Sequence, residues 1–307
     1  MLRSLGDDGL SRDIAAGSVV SFPHTALRFA GPLQARVVVG LYRSGVDLVV
    51  ALGVLHSGSS AAYREALDES CAVEARRDAL AAISGGHLLA VDRIETPFGD
   101  LPTPRSEADG RIPVRVDRDG VLADEFSLDA FFALMRRAAD VFGMAPLPVL
   151  PVFVGPTRDP IDGSFDVARR LAAWVCDVRA RFVGSTALVV TGDLVHYGSA
   201  YGDVDADATA ASHEQITSRF RRAVEQALAA ALTDRDWALA HRLSSGVLRS
   251  DQREILAPIS AVLGPARARL LHFELSDYAE ILASPPPCLV ASSLAVYERI
   301  EAPSPED

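Results

Sequence analysis

Three short stretches of this chain are apolar at consecutive positions rather than at every second one: VDLVVALGVLH (46–56), LPVLPVFVG (147–155) and STALVVTG (185–192). They are rich in β-branched residues and bounded by glycine, proline or small polar residues. A strand with one wet face alternates apolar and polar side chains, whereas an unbroken apolar strand is covered on both faces. Helix-patterned segments lie between these runs, at 127–142, 164–183, 206–232, 234–245 and 252–263. Ser127 stands where an N-cap belongs. A last strand is expected over 288–297, and the Pro/Asp/Gly/Arg-rich stretch 96–120 reads as a surface excursion with a hairpin strand. Strands alternating with helices along the whole chain predict a three-layer α/β fold, a central mixed sheet flanked by helices. A single catalytic domain over residues 1–300 and a disordered tail over 301–307 are expected.

Composition narrows the function classes. The chain has 307 residues, 41 acidic against 30 basic, and a net charge of −11. A protein that binds nucleic acid needs a basic surface, so no nucleic-acid partner is expected. The three cysteines, Cys71, Cys176 and Cys288, are far apart and form no CxxC pair, which argues against a zinc finger, a thioredoxin motif or a disulfide framework. No signal-peptide-like core and no apolar run of about 18 residues occurs, so a cytoplasmic protein without membrane association is expected.

The candidate functional residues follow the strand-like runs. SVVSFPH ends at His24, VDLVVALGVLH at His56, and TALVVTGDLVHYG carries Asp193 and His196. In an open α/β sheet the loops beyond the carboxyl ends of the strands share one crevice, so such residues can meet. Two histidines with one carboxylate form the ligand set of a non-haem Fe(II) site with open positions. Each residue also has an ordinary reading. His24 and His56 can be structural or capping histidines, and Asp193 can cap the following segment. Glu125 and Asp129, spaced i and i+4, suit the first turn of a helix. Glu254, within DQREILAPIS, reads as an exposed acid. No GxSxG, Walker A or GxGxxG motif points to hydrolase, NTPase or dinucleotide chemistry.

Taken in order, these segments resemble the Memo family and its relatives, the class III extradiol ring-cleavage dioxygenases. SFPHTALRFAGP, VVALGVLHSG, DEFSLDAFFALM, VLPVFVG, ALVVTGDLVHYG, FELSDYAE and SSLAVY are similar to successive family segments over roughly residues 20–297. His24 and His56 fall on the family's ligand histidines, Glu125 and Asp129 on its acidic pair, and Asp193 and His196 on its Asp/His pair. Two departures stand out. Phe126 replaces a histidine, and REILAPIS lacks the family's metal-site cysteine. Alignment on Pro258 and Ile259 puts Glu254 opposite that cysteine. The resemblance implies a Memo-like fold and a metal, Fe(II) or another divalent ion, held by His24, His56 and Glu254. It implies His196 as the acid–base group, and Asp193 either as its orienting partner or as part of the metal environment in place of Glu254. The implied reaction is ring opening of a catechol-like or aminophenol-like substrate with O2, in a homo-oligomer or beside a second subunit. A Memo-like metal-binding or interaction protein, or a metal-dependent hydrolase, remain as alternatives on the same residues.

Overall fold

The computed structural model describes residues 2, 9–56, 68, 70–104, 114–117, 120–203 and 212–300. The expected helical stretch YREALDES, the SGSS loop and the 301–307 tail lie wholly or mostly outside the described residues, as do the first residues of the 206–232 segment.

The apolar runs become a parallel core. Strands β1 (Val19–Phe22), β2 (Leu48–Val54), β7 (Val149–Val154) and β8 (Thr186–Thr191) lie in the order β1-β8-β2-β7, and all three pairings are parallel. Beyond β7 come β3 (Gly86–Leu88), antiparallel to it, and β6 (Val114–Val116), parallel to β3. Beyond β1 come the antiparallel strands β11 (Cys288–Arg299) and β10 (Ala266–Asp277), and the short β9 (His196–Gly198) also pairs with β11. Among the described residues this is one mixed sheet of nine strands. A separate two-stranded ribbon joins β4 (Arg93–Ile94) to β5 (Leu101–Pro102).

Alternate residues of the central strands feed two apolar clusters, one on each side. Leu48, Val50, Leu52 and Val54 of β2 pack with helices α5 (Asp166–Arg181), α6 (His213–Leu232), α7 (Trp237–Ser245) and α8 (Leu256–Leu263). Val49 and Ala51 pack on the other face with α1 (Leu10–Ala15), α2 (Leu27–Ser44), α3 (Val73–Ile83) and α4 (Asp129–Phe142). This double burial explains the unbroken apolar runs, and the layered α/β arrangement with a mixed sheet follows from it. Among the described residues no helix is long and apolar enough to cross a membrane.

Several local expectations shift. The apolar run 34–40 (QARVVVG) lies in α2, which buries its valines against the sheet. Strand β6 joins the main sheet beside β3 instead of forming a hairpin. Ser127 does not cap α4. Its hydroxyl donates to the Val54 carbonyl at 2.9 Å, tying the helix entrance to the end of β2. Pro151 sits inside β7, in a stretch that β3 does not reach. Strand β3 pairs only with Phe153 and Val154, so β7 is locally an edge where the missing N–H falls.

The exit of β7 is tightly packed. Gly155 donates its N–H to the Gly85 carbonyl at 2.8 Å, and a Cβ added at Gly155 would lie 2.0 Å from the Ile83 carbonyl oxygen. A backbone oxygen cannot swing away as a side chain can. Gly155→Ala is expected to cost about 3 kcal/mol or more, at the upper end of overpacking penalties. Urea denaturation of the variant measures the loss as a drop in midpoint at unchanged slope.

Candidate metal centre

The order β1-β8-β2-β7 decides which side chains meet. All four strands point the same way, so their carboxyl ends share one edge, and β8 lies between β1 and β2. His24, two residues past β1, and His56, two residues past β2, therefore flank the Asp193 turn that leaves β8. Their rings meet edge to face with centroids 5.0 Å apart. Gly192 makes the turn possible. Its φ is 148°, and the Gln252 side chain crosses so closely that an added Cβ would lie 2.8 Å from it.

A fourth segment completes the site. The 3-10 turn Asp251–Glu254 after α7 is sewn onto the end of β8. The Asp251 N–H donates to the Asp193 carbonyl at 3.0 Å, and the Ser250 hydroxyl donates to the same oxygen at 3.1 Å. The buried Gln252 amide donates to Ser21 Oγ and the Gly192 carbonyl and accepts from the Tyr297 hydroxyl. These bonds present the Asp251 carboxylate to both histidine-bearing loops. Its Oδ2 lies 3.4 Å from His24 Nε2 and 3.6 Å from His196 Nε2.

Two donor groups result, His24–His56–Asp251 and Asp193–His196–Asp251, each with all its ligand atoms within 4.8 Å of one another. Donors bound about 2.1 Å from one ion lie roughly 3–4.2 Å apart, so the Asp251 separations suit a shared cation. Burial supports the same conclusion. Asp193 is fully buried, and neither of its oxygens has a hydrogen-bond partner. His24 and His196 stand 4.0 and 3.9 Å away, and burial raises the Asp193 carboxyl above the ordinary carboxylate range. Asp251 moves the other way. Burial opposes its ionisation, but the surrounding His196, His24 and His56 rings outweigh that and hold it below the ordinary range. A buried carboxylate without donors costs several kcal/mol unless a positive charge compensates it. These buried His and Asp groups could hold a metal ion, and the all-nitrogen-and-oxygen donor set suits a borderline or hard divalent cation.

The supporting contacts fix the rings. The His56 Nδ1–H donates to Glu125 Oε1 at 3.0 Å, and its backbone N–H donates to Glu125 Oε2 at 2.8 Å. Burial lowers the His56 pKa, but Glu125, Asp251 and Asp193 together outweigh it and leave the ring more basic than usual. Burial also pushes the Glu125 carboxyl up, and the His56 hydrogen bond overrides this and brings it down. Glu125 thus orients a candidate ligand histidine and is not itself in either donor group, while it also accepts from the N–H groups of Phe126 and Ser127. Asp129 is the acidic first-turn residue of α4. His196 donates its Nδ1–H to the Arg249 carbonyl at 2.8 Å, which leaves Nε2 as the lone-pair nitrogen facing Asp193 and Asp251.

The expected residues His24, His56, Asp193 and His196 are brought together; Glu254 is not. Its Oε2 accepts from the Thr157 N–H at 2.7 Å and the Arg158 N–H at 3.3 Å, and its Oε1 pairs with His241 Nε2 at 3.2 Å. Asp251 occupies the place expected for Glu254. The reason is geometric. The turn crosses the carboxyl edge from β8 towards β7, two strand spacings or roughly 9–10 Å away. A rise of about 2 Å per residue carries its last residue out of the site and into reach of the β7 exit. Asp251 lacks a local signature in the sequence, since it is one of three charged residues in DQRE. No family model matches the chain, and no curated protein matches it.

Two measurements check the assignment. Asp251→Ala should lose most of the bound metal while Glu254→Ala retains it, as read by equilibrium metal titration. Asp193→Asn should raise the midpoint of thermal unfolding in chelator, because it removes an uncompensated buried charge, and should lower it relative to wild type once metal is added.

Proposed function

We propose that this chain is a non-haem Fe(II)-dependent dioxygenase of the extradiol type, with a Memo/class III extradiol dioxygenase-like fold, that opens a catechol-like or aminophenol-like ring with O2. The observation that carries this reading is the His24–His56–Asp251 group, two histidines and a carboxylate, with His196 beside it in a fixed tautomer. That ligand set leaves positions open for substrate and dioxygen.

When bound there, Fe(II) supplies electrons to dioxygen and acidifies a ring hydroxyl. The protein's part is orientation and proton handling. Glu125 holds His56 with its proton on Nδ1, so Nε2 is left for ligation. His196, with Nδ1–H tied to Arg249, presents Nε2 as the base that accepts a proton from a substrate hydroxyl and returns it to the product. Asp193, 3.9 Å from that nitrogen, stabilises the imidazolium that forms. His24 and Asp193 close the inner side, whereas the His56 side chain is 26 % exposed and gives the approach its direction. Phe126 stacks on His56 at 4.7 Å and is half exposed, which makes it a flat apolar wall for an aromatic ring.

A metal-dependent hydrolase is the second reading, favoured by the Asp193–His196–Asp251 group. With Asp251 shared, the five side chains could hold two ions in the manner of two-metal hydrolases. One variant separates the readings. After anaerobic purification and iron loading, His196→Gln should keep its iron, and oxygen uptake with catechols and aminophenols should fall by about 10²–10⁴-fold. Loss of a metal equivalent, with oxygen-independent hydrolysis in the wild type, would replace the dioxygenase reading by the two-ion one.

A further inference from the structure

On the far side of the Asp251–Glu254 turn, a cleft of about 160 Å³ opens between the β7 exit and the C-terminal end of α7. His241, Ser245 and Glu254 line it, with Arg158 and Arg253 and two prolines, Pro156 and Pro160. None of these side chains belongs to either donor group of the metal centre.

The hydrogen bonds in the cleft have a forced direction. Glu254 is ionised: burial opposes its charge, but the His241 contact and the Thr157 N–H override this and lower the carboxyl. A carboxylate only accepts, so His241 Nε2, 3.2 Å from Glu254 Oε1, is the protonated nitrogen. In the neutral ring Nδ1 is then a lone pair. The Ser245 hydroxyl lies 3.3 Å from it and donates. The result is a hydroxyl, a base and a half-buried acid in series, with the acid anchored by two backbone N–H groups. Nucleophile, base and orienting group within hydrogen-bond reach are the elements of covalent acyl-transfer catalysis. Ser245 is exposed and open to a substrate.

We propose that Ser245, His241 and Glu254 form a second, metal-independent site that hydrolyses small esters carrying a negative charge. Ser245 Oγ attacks the ester carbonyl carbon while its proton passes to His241 Nδ1. The carbon–oxygen bond to the alcohol then breaks, and the alcohol leaves with that proton. Water, deprotonated by His241, attacks the acyl-serine, which releases the carboxylic acid and restores the hydroxyl. Arg158 and Arg253 stabilise the oxyanion and select the anionic acyl group.

The test uses the full chain, with and without chelator, and two nitrophenyl esters, the anionic succinate and the neutral acetate. A fluorophosphonate probe should label Ser245, as located by peptide mass spectrometry. Ser245→Ala, an exposed substitution whose folding is checked by circular dichroism, should lose the label and at least about 100-fold of succinate-ester hydrolysis. Chelation should leave both unchanged. Arg158→Gln keeps the backbone N–H that holds Glu254, and should raise KM for the succinate ester but not the acetate. Absence of label on Ser245, wild-type hydrolysis by Ser245→Ala, or loss of hydrolysis on chelation overturns the site. An equal effect of Arg158→Gln on both esters overturns the anionic selectivity.

Discussion

A carboxylate buried beyond the reach of water, with no hydrogen-bond donor on either oxygen, is the constraint around which the carboxyl edge of this sheet is organised. Asp193 holds that position, with the rings of His24 and His196 4.0 and 3.9 Å from its Oδ2. Such a charge is tolerable when a cation is shared among its neighbours and costly when it is not. The Asp251 carboxylate adds a second negative charge to the same few ångströms. Two carboxylates and three imidazoles in one place could hold a cation, whose binding would then be linked to the stability of the fold.

The frame that imposes this geometry is apolar. Parallel strands buried on both faces have little freedom in register, because a slip of one residue would move every side chain to the opposite cluster. Leu48, Val50, Leu52 and Val54 belong to one cluster and Val49 and Ala51 to the other, so β2 delivers His56 to a fixed depth. The Gln252 amide bridges β8, β1 and β11 through Gly192, Ser21 and Tyr297 and fixes the last ligand-bearing turn against them. Polar bonds of this buried kind specify position more than they add stability.

One short turn serves two neighbourhoods with opposite electrostatic solutions. Asp251 accepts one backbone N–H, from Asp193 at 3.3 Å, and otherwise faces imidazoles and the ion they could share, whereas Glu254, three residues later, is held by two backbone N–H groups and His241. The first arrangement leaves ligand valence open. The second closes the acid completely and passes its influence outward through His241 to Ser245. Two half-buried acids of similar sequence context thus suit different chemistry, according to whether donors or possible cation ligands surround them.

The sequence by itself determined the layered α/β class, because short β-branched apolar runs bounded by glycine or proline alternate with helix-patterned segments along the chain. It also determined four of the clustered residues, His24, His56, Asp193 and His196, because each follows such a run and parallel strands end on one edge. Helix α5 was legible to within two residues at each end, and the end of α6 at Leu232 was legible too, because their apolar periodicity persists to those points. Tertiary structure alone decided the rest. The strand order β1-β8-β2-β7, set by long-range packing, put Asp193 between the two histidines. Ser127 abandoned the helix cap for the Val54 carbonyl because β2 ends beside it. Asp251 rather than Glu254 entered the donor set because the turn that carries both is pinned at its start to Asp193 and at its end to the β7 exit. Within DQRE the acids are chemically alike, and only the backbone hydrogen bonds that fix the path of the turn tell them apart.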